Sequence, residues 1–171
     1  MAQQRTLYIG RHAKSSWDHP GRADIDRPLA ERGLKDAYNM VNRMMERGDR
    51  PQMIISSPAN RAMHTAIIYA RGLKLPLTGF HLNADLYMGG EDIILSTIYG
   101  IDNNIDSLMI FGHNPDFTYL ANYFLADPID NIPTSGLVRL DFESDTWEGI
   151  RKINLTDYIF DFPKKKQTGR T

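Results

Sequence analysis

Residues 6–17 read TLYIGRHAKSSW, an apolar, β-prone run around Ile9 that ends directly on Arg11 and His12. A buried strand has no need of a guanidinium and an imidazole at its tip, yet the pattern recurs twice. Residues 52–61, QMIISSPANR, lead an apolar strand into Ser57-Pro58 and a helix start bearing Arg61. Residues 106–117, DSLMIFGHNPDF, lead a third strand into His113. Each run is followed by helical periodicity. Strands alternating with helices predict an α/β fold, a three-layer α/β/α arrangement around a mostly parallel sheet. In such a sheet every strand-to-helix loop emerges at one edge, where ligands bind. The three tips should therefore converge.

Working outward, a strand over 6–10 precedes a long polar loop over 14–28, and loops of that length are commonly functional. A helix over 29–47 should bury Leu34, Ala37, Tyr38, Val41, Met44 and Met45, with Gly48 as its cap. A strand over 52–56 and a helix over 59–71 follow, the helix burying Ala62, Ala66, Ile67 and Ala70 before Gly72 closes it. A weaker strand spans 78–82, and the next helix carries Ile94, Leu95 and Ile98. The strand over 108–111 leads into a helix with Tyr119, Leu120, Tyr123 and Phe124. LVRLDF (137–142) then alternates, and WEGIRKINL (147–155) is its expected antiparallel partner at the sheet edge. Residues 164–171 read as a frayed basic tail.

At 171 residues the chain is expected to form a single domain over 1–171. A formal net charge of −1 gives no electrostatic reason to expect a nucleic-acid or membrane partner. There is no cysteine, which removes disulfides, thiolate nucleophiles and cysteine zinc sites from consideration. No apolar stretch has signal-peptide or membrane-helix length, so a cytoplasmic setting is expected. No spacing suited to metal ligation appears either, so neither metal nor cofactor is expected.

Taken singly, each of Arg11, His12, Arg61 and His113 has a bland structural reading. Together on one rim, two guanidiniums and two imidazoles would cost free energy without an anionic partner. Planar guanidiniums donate in parallel pairs to tetrahedral oxyanions, so phosphate is the natural guest. With two arginines to neutralise the phosphate oxygens, an imidazole can attack phosphorus without being repelled by them. No glycine-rich phosphate loop of the nucleotide-binding type is present.

RHAKSSW, DRPLAERG (26–33), SSPANRAMHTA and GHNP, in that order, resemble the histidine phosphatase (phosphoglycerate mutase-like) superfamily. Within it the chain is most similar to the short SixA-type phosphohistidine phosphatases. The resemblance implies a phosphoglycerate mutase-like fold, with His12 as a transiently phosphorylated nucleophile and Arg11, Arg61 and His113 completing the phosphate pocket. It places the proton donor at Asp85 in NADLYMGGED (83–92), a shorter acid than the glutamate of many relatives. A phosphoramidate bond breaks readily once its ring nitrogen is protonated, so a weak acid would favour phosphohistidine over alkyl esters. Lys14, Ser15 and Trp17 follow the nucleophile as a candidate substrate rim, and Ser135 is a further candidate phosphate contact. The expected partner is a phosphohistidine-bearing signalling protein. A phosphatase of small phosphate esters and a non-catalytic phosphohistidine reader remain open alternatives.

Overall fold

A computed structural model describes residues 3–163; the basic tail over 164–171 lies outside the described residues. Among the described residues, six strands form one sheet in the order β3-β2-β4-β1-β5-β6. They are β1 (Gln4–Arg11), β2 (Met53–Ser56), β3 (Phe80–Leu82), β4 (Ser107–Gly112), β5 (Leu137–Glu143) and β6 (Leu155–Asp161). The first four run parallel, while β5 pairs antiparallel with both β1 and β6. This is the mixed α/β sheet with an antiparallel edge that the strand pattern implies.

Alternation along the strands sorts the core into two layers. Leu7, Ile9, Ile55, Leu108 and Ile110 face one way. There they meet α4 (Glu91–Tyr99) through Ile94 and Ile98, and α5 (Asp116–Phe124) through Phe117, Leu120 and Phe124. Tyr8, Ile54, Met109 and Phe111 face the other way, against α1 (Glu31–Arg47) and α2 (Asn60–Gly72). A short helix, α3 (Asp85–Met88), bridges β3 and α4 and was not legible in the sequence.

Helix faces differ in detail from the expectation. In α1 the buried residues are Gly33, Ala37, Met40, Val41 and Met44, while Tyr38 and Met45 are exposed. The buried stripe runs through positions 33, 37, 40, 41 and 44, and at its start Gly33 lets the helix meet the site loop, where a Cβ would collide with the Lys14 carbonyl oxygen. Gly48 ends α1 in the left-handed region at φ 78°, as a C-terminal glycine should. In α2 Ile67 lies toward solvent, Ile68 and Tyr69 are buried, and Gly72 is the last helical residue. In α5 Tyr119 and Tyr123 are exposed. The edge strand also lies later than expected. Trp147 is fully buried beneath a loop, its indole N–H donating to the Ile105 carbonyl at 2.7 Å, so the chain pairs with β5 only from Leu155 onward.

What positions the site is register. Arg11 at the end of β1 lies opposite Gly112 at the end of β4, and Ser56 at the end of β2 lies opposite Phe111. The His12 N–H donates to the Gly112 carbonyl at 3.2 Å, and the Ser57 N–H to the Phe111 carbonyl at 2.9 Å. Three strand ends are thus flush at one edge of the sheet.

Candidate active site

His12 follows β1 with its ring orientation fixed. Its Nδ1 lies 2.7 Å from the Ala13 carbonyl oxygen. A carbonyl can only accept, so the proton sits on Nδ1 and Nε2 keeps its lone pair. The loop is tied from the side by Thr65, one turn beyond Arg61 on α2. The Ala13 N–H donates to the Thr65 hydroxyl at 3.0 Å, and that hydroxyl donates to the Arg61 carbonyl at 2.7 Å. From below, the Ser135 N–H donates to the His12 carbonyl at 3.1 Å. Ser135 sits in the left-handed region at φ 60°, and its buried hydroxyl has no partner among the described residues.

His113 meets His12 with ring centroids 5.2 Å apart. Its Nδ1 lies 3.4 Å from Arg61 Nη2, and its Nε2 lies 2.8 Å from the Ser57 hydroxyl. A guanidinium offers donors only, so Nδ1 accepts, and Nε2–H donates to Ser57. The Ser57 oxygen also accepts the Ala59 N–H at 3.2 Å, which links the second imidazole to the start of α2. Arg11 donates from Nη1 to the Ile132 carbonyl at 2.9 Å, while its buried Nε has no partner among the described residues.

His12, Arg61 and His113 are each less than a tenth exposed. Burial pushes the His12 imidazole down to about 4; the Ala13 carbonyl opposes this and the nearby Arg61 and Arg11 reinforce it. Burial, His12 and Arg61 push His113 down to about 3. Both rings are therefore neutral at neutral pH. Arg11 is lowered chiefly by burial and further by the like charge of Arg61.

Arg61 does have an internal anion beside it. Asp24, in a 3-10 turn of the long polar loop, accepts from Arg61 Nη1 at its carbonyl (2.7 Å) and from Nη2 at its carboxylate (3.0 Å). The Tyr87 hydroxyl donates to the same carboxylate oxygen at 2.8 Å, and the Tyr87 ring lies edge-on to His113. Burial pulls the Asp24 carboxyl up, but the hydrogen bonds from Tyr87 and Arg61 outweigh it and hold the group down at about 2. Neither Asp24 nor Tyr87 stands out in the sequence, because the loop holds several acids and nothing marks one of them as facing an arginine.

Of the residues singled out in the sequence, Arg11, His12, Arg61, Lys14, Ser15 and Trp17 line one cavity of about 260 Å³, with Arg27 and Thr134. His113 adjoins it through the ring contact with His12. Ser15 is buried with its hydroxyl against Arg27, Lys14 is exposed, and Trp17 is 76% exposed. Asp85 is exposed at the start of α3. Its N–H donates to the Asn83 side chain, and no hydrogen bond joins its carboxylate to the other site residues described. Thr65, Ser57 and Arg27 are the positioning residues that sequence reasoning missed. Thr65 and Ser57 lie inside the motif around Arg61, and their spacing from it was the available signal.

Residues 7–82 match the sequence profile of the histidine phosphatase superfamily (branch 1). An uncharacterized chloroplastic protein of Arabidopsis thaliana is 29% identical over 158 residues, covering 84% of this chain and 69% of its own length. SixA of Agrobacterium tumefaciens, a candidate phosphohistidine phosphatase, superposes with a TM-score of 0.76 at 27% identity, covering 91% of this chain and 97% of that one. A protein histidine phosphatase SixA solved with tungstate superposes at 0.73 over 92% of this chain and 94% of that one; at 19% identity this likeness is one of fold.

Proposed function

For a chain that is a SixA-like member of the histidine phosphatase superfamily, in fold throughout and in sequence over its first half, we propose a cytoplasmic phosphohistidine phosphatase working through a covalent phosphohistidine on His12. The observation that carries this reading is the tautomer of His12. Its Nδ1–H is spent on the Ala13 carbonyl, and the free Nε2 lone pair belongs to a neutral ring beside two guanidiniums.

Chemically, Nε2 attacks phosphorus and the bond from phosphorus to the departing imidazole nitrogen breaks. The departing nitrogen takes a proton from Asp85 or from water. Water then attacks the phosphoryl group on His12, the phosphorus–Nε2 bond breaks, and inorganic phosphate leaves with Nε2 again a free lone pair. Arg11 and Arg61 stabilise charge on the equatorial oxygens, and His113 orients Arg61 by accepting from its Nη2. The charge on the oxygens is thus met by arginine, in a cavity of about 260 Å³. A cavity rimmed by the exposed Lys14 and Trp17 suits a group presented by a protein better than a small molecule enclosed on all sides.

The test uses wild type and His12→Ala with a phosphohistidine-bearing protein and with p-nitrophenyl phosphate. Wild type should release phosphate from the protein substrate with the higher kcat/KM, and His12→Ala from neither. Turnover by His12→Ala would end the covalent route, and binding without turnover by wild type would make the chain a reader. An Asp85→Asn variant separates the two proton sources: it should slow ester cleavage more than phosphoramidate cleavage if Asp85 is the donor.

A further inference from the structure

Trp17 is a large aromatic side chain left 76% exposed at the wall of the same cavity as His12. It does not hang freely. The Arg27 guanidinium carbon lies over the Trp17 ring, 3.3 Å from its centre, so a cation covers one face. Arg27 is itself held on every side. Its Nε donates to the Ser16 carbonyl, its Nη1 to the Asp24 carboxylate at 3.1 Å, and its Nη2 to the buried Ser15 hydroxyl. The indole is therefore a braced plane, one face on a cation and the rest open beside the phosphate pocket. Stability does not ask for this, because an indole of such exposure gives up most of the apolar burial that makes tryptophan useful to a core.

Resting on the phosphatase reading above, we infer that Trp17 is a stacking platform for the leaving group, and that it selects substrates whose phosphoryl group is attached to a planar ring. Phosphorus held by Arg11 and Arg61 leaves room in about 260 Å³ for a single ring next to it, and an imidazole attached through nitrogen fits that description. A π-face accepts such a ring in offset stacking. The leaving ring takes up the electron pair of its bond to phosphorus and one proton, so it departs as a neutral imidazole, and offset stacking holds it in plane while that bond opens. Arg27 is a positioning residue in this scheme: it fixes the plane of the indole and acts on the substrate through it.

The experiment compares wild type, Trp17→Ala and Trp17→Phe on two matched substrate pairs. In the first, phosphorus is bound to nitrogen: a phosphohistidine peptide against phosphoramidate, which has no ring. In the second it is bound to oxygen: p-nitrophenyl phosphate against methyl phosphate. The readout is the ratio of kcat/KM for ring over ringless substrate, in which changes common to both substrates cancel. Trp17→Ala should lower that ratio about five- to tenfold in each pair, and Trp17→Phe should restore most of it. A ratio that stays within about twofold of wild type in both pairs, or a wild type that hydrolyses no substrate, overturns the platform. A ratio that falls only in the oxygen pair, in an enzyme inert toward the phosphohistidine peptide, keeps the platform and removes phosphohistidine as substrate.

Discussion

Acid should unfold this protein in part through His12, by an amount that can be worked out. The ring is neutral and buried in the fold, with its pKa pushed down to about 4 against 6.5 for an ordinary histidine. As pH falls, the unfolded chain binds the proton first. Stability linked to His12 is then complete above about 6.5 and is lost as pH falls toward 4. Integrating the two titrations gives a loss of about 2.5 kcal/mol between neutral pH and about pH 4.5, at 1.36 kcal/mol per unit. His113 acts in the same direction and is partly coupled to His12, so the clean quantity is a difference between variants. Urea unfolding of wild type and His12→Asn at both pH values supplies it. Wild type should lose about 2 kcal/mol more than the variant on acidification, since every other titrating group is shared. Parallel losses, within about 0.5 kcal/mol, would mean that His12 is not held neutral by the fold.

Arg61→Ala should lower kcat by about 10² to 10³, the usual cost of removing one donor aimed at developing charge, and a loss of only a few-fold would take Arg61 out of the phosphate pocket. Asp24→Asn removes the internal carboxylate from Arg61 together with its repulsion of an incoming anion. Inorganic phosphate should then inhibit at a lower concentration than in wild type, and a weaker inhibition constant would show that Asp24 mainly positions the arginine. Gly33→Ala forces a Cβ into the Lys14 carbonyl, which also accepts the Ala30 N–H at 2.9 Å. Denaturant unfolding should show a loss of about 1–3 kcal/mol, and a neutral result would mean that the start of α1 does not press on the loop after His12.

The convergence of the strand tips was legible because it follows from topology. Once Thr6–Gly10, Gln52–Ser56 and Leu108–Phe111 read as parallel strands, the residues after each had to share an edge. Less was readable where backbone contacts decide. Met40 rather than Met45 is buried because the core stripe of α1 is centred on positions 33, 37, 40 and 44, and its start at Gly33 is a contact with the Lys14 backbone that a stripe of apolar side chains does not show. The edge strand was misplaced by several residues because Trp147 reads as strand yet fills a hole beneath a loop. The second layer of the site was hidden for a related reason. Thr65 and Ser57 act through hydroxyls that each bridge two partners from different segments, and Asp24 reaches Arg61 across a loop whose path no local pattern fixes.

The covalent step is open to direct trapping. A turnover mixture with a radiolabelled phosphoryl donor, quenched in alkali within the first turnover and digested for mass spectrometry, reports any phosphoryl group on the enzyme. The account predicts an acid-labile, base-stable phosphoryl group on the peptide containing His12, discharged by water and missing from His12→Ala. Phosphate released in full by an enzyme that never carries label on His12 would contradict it.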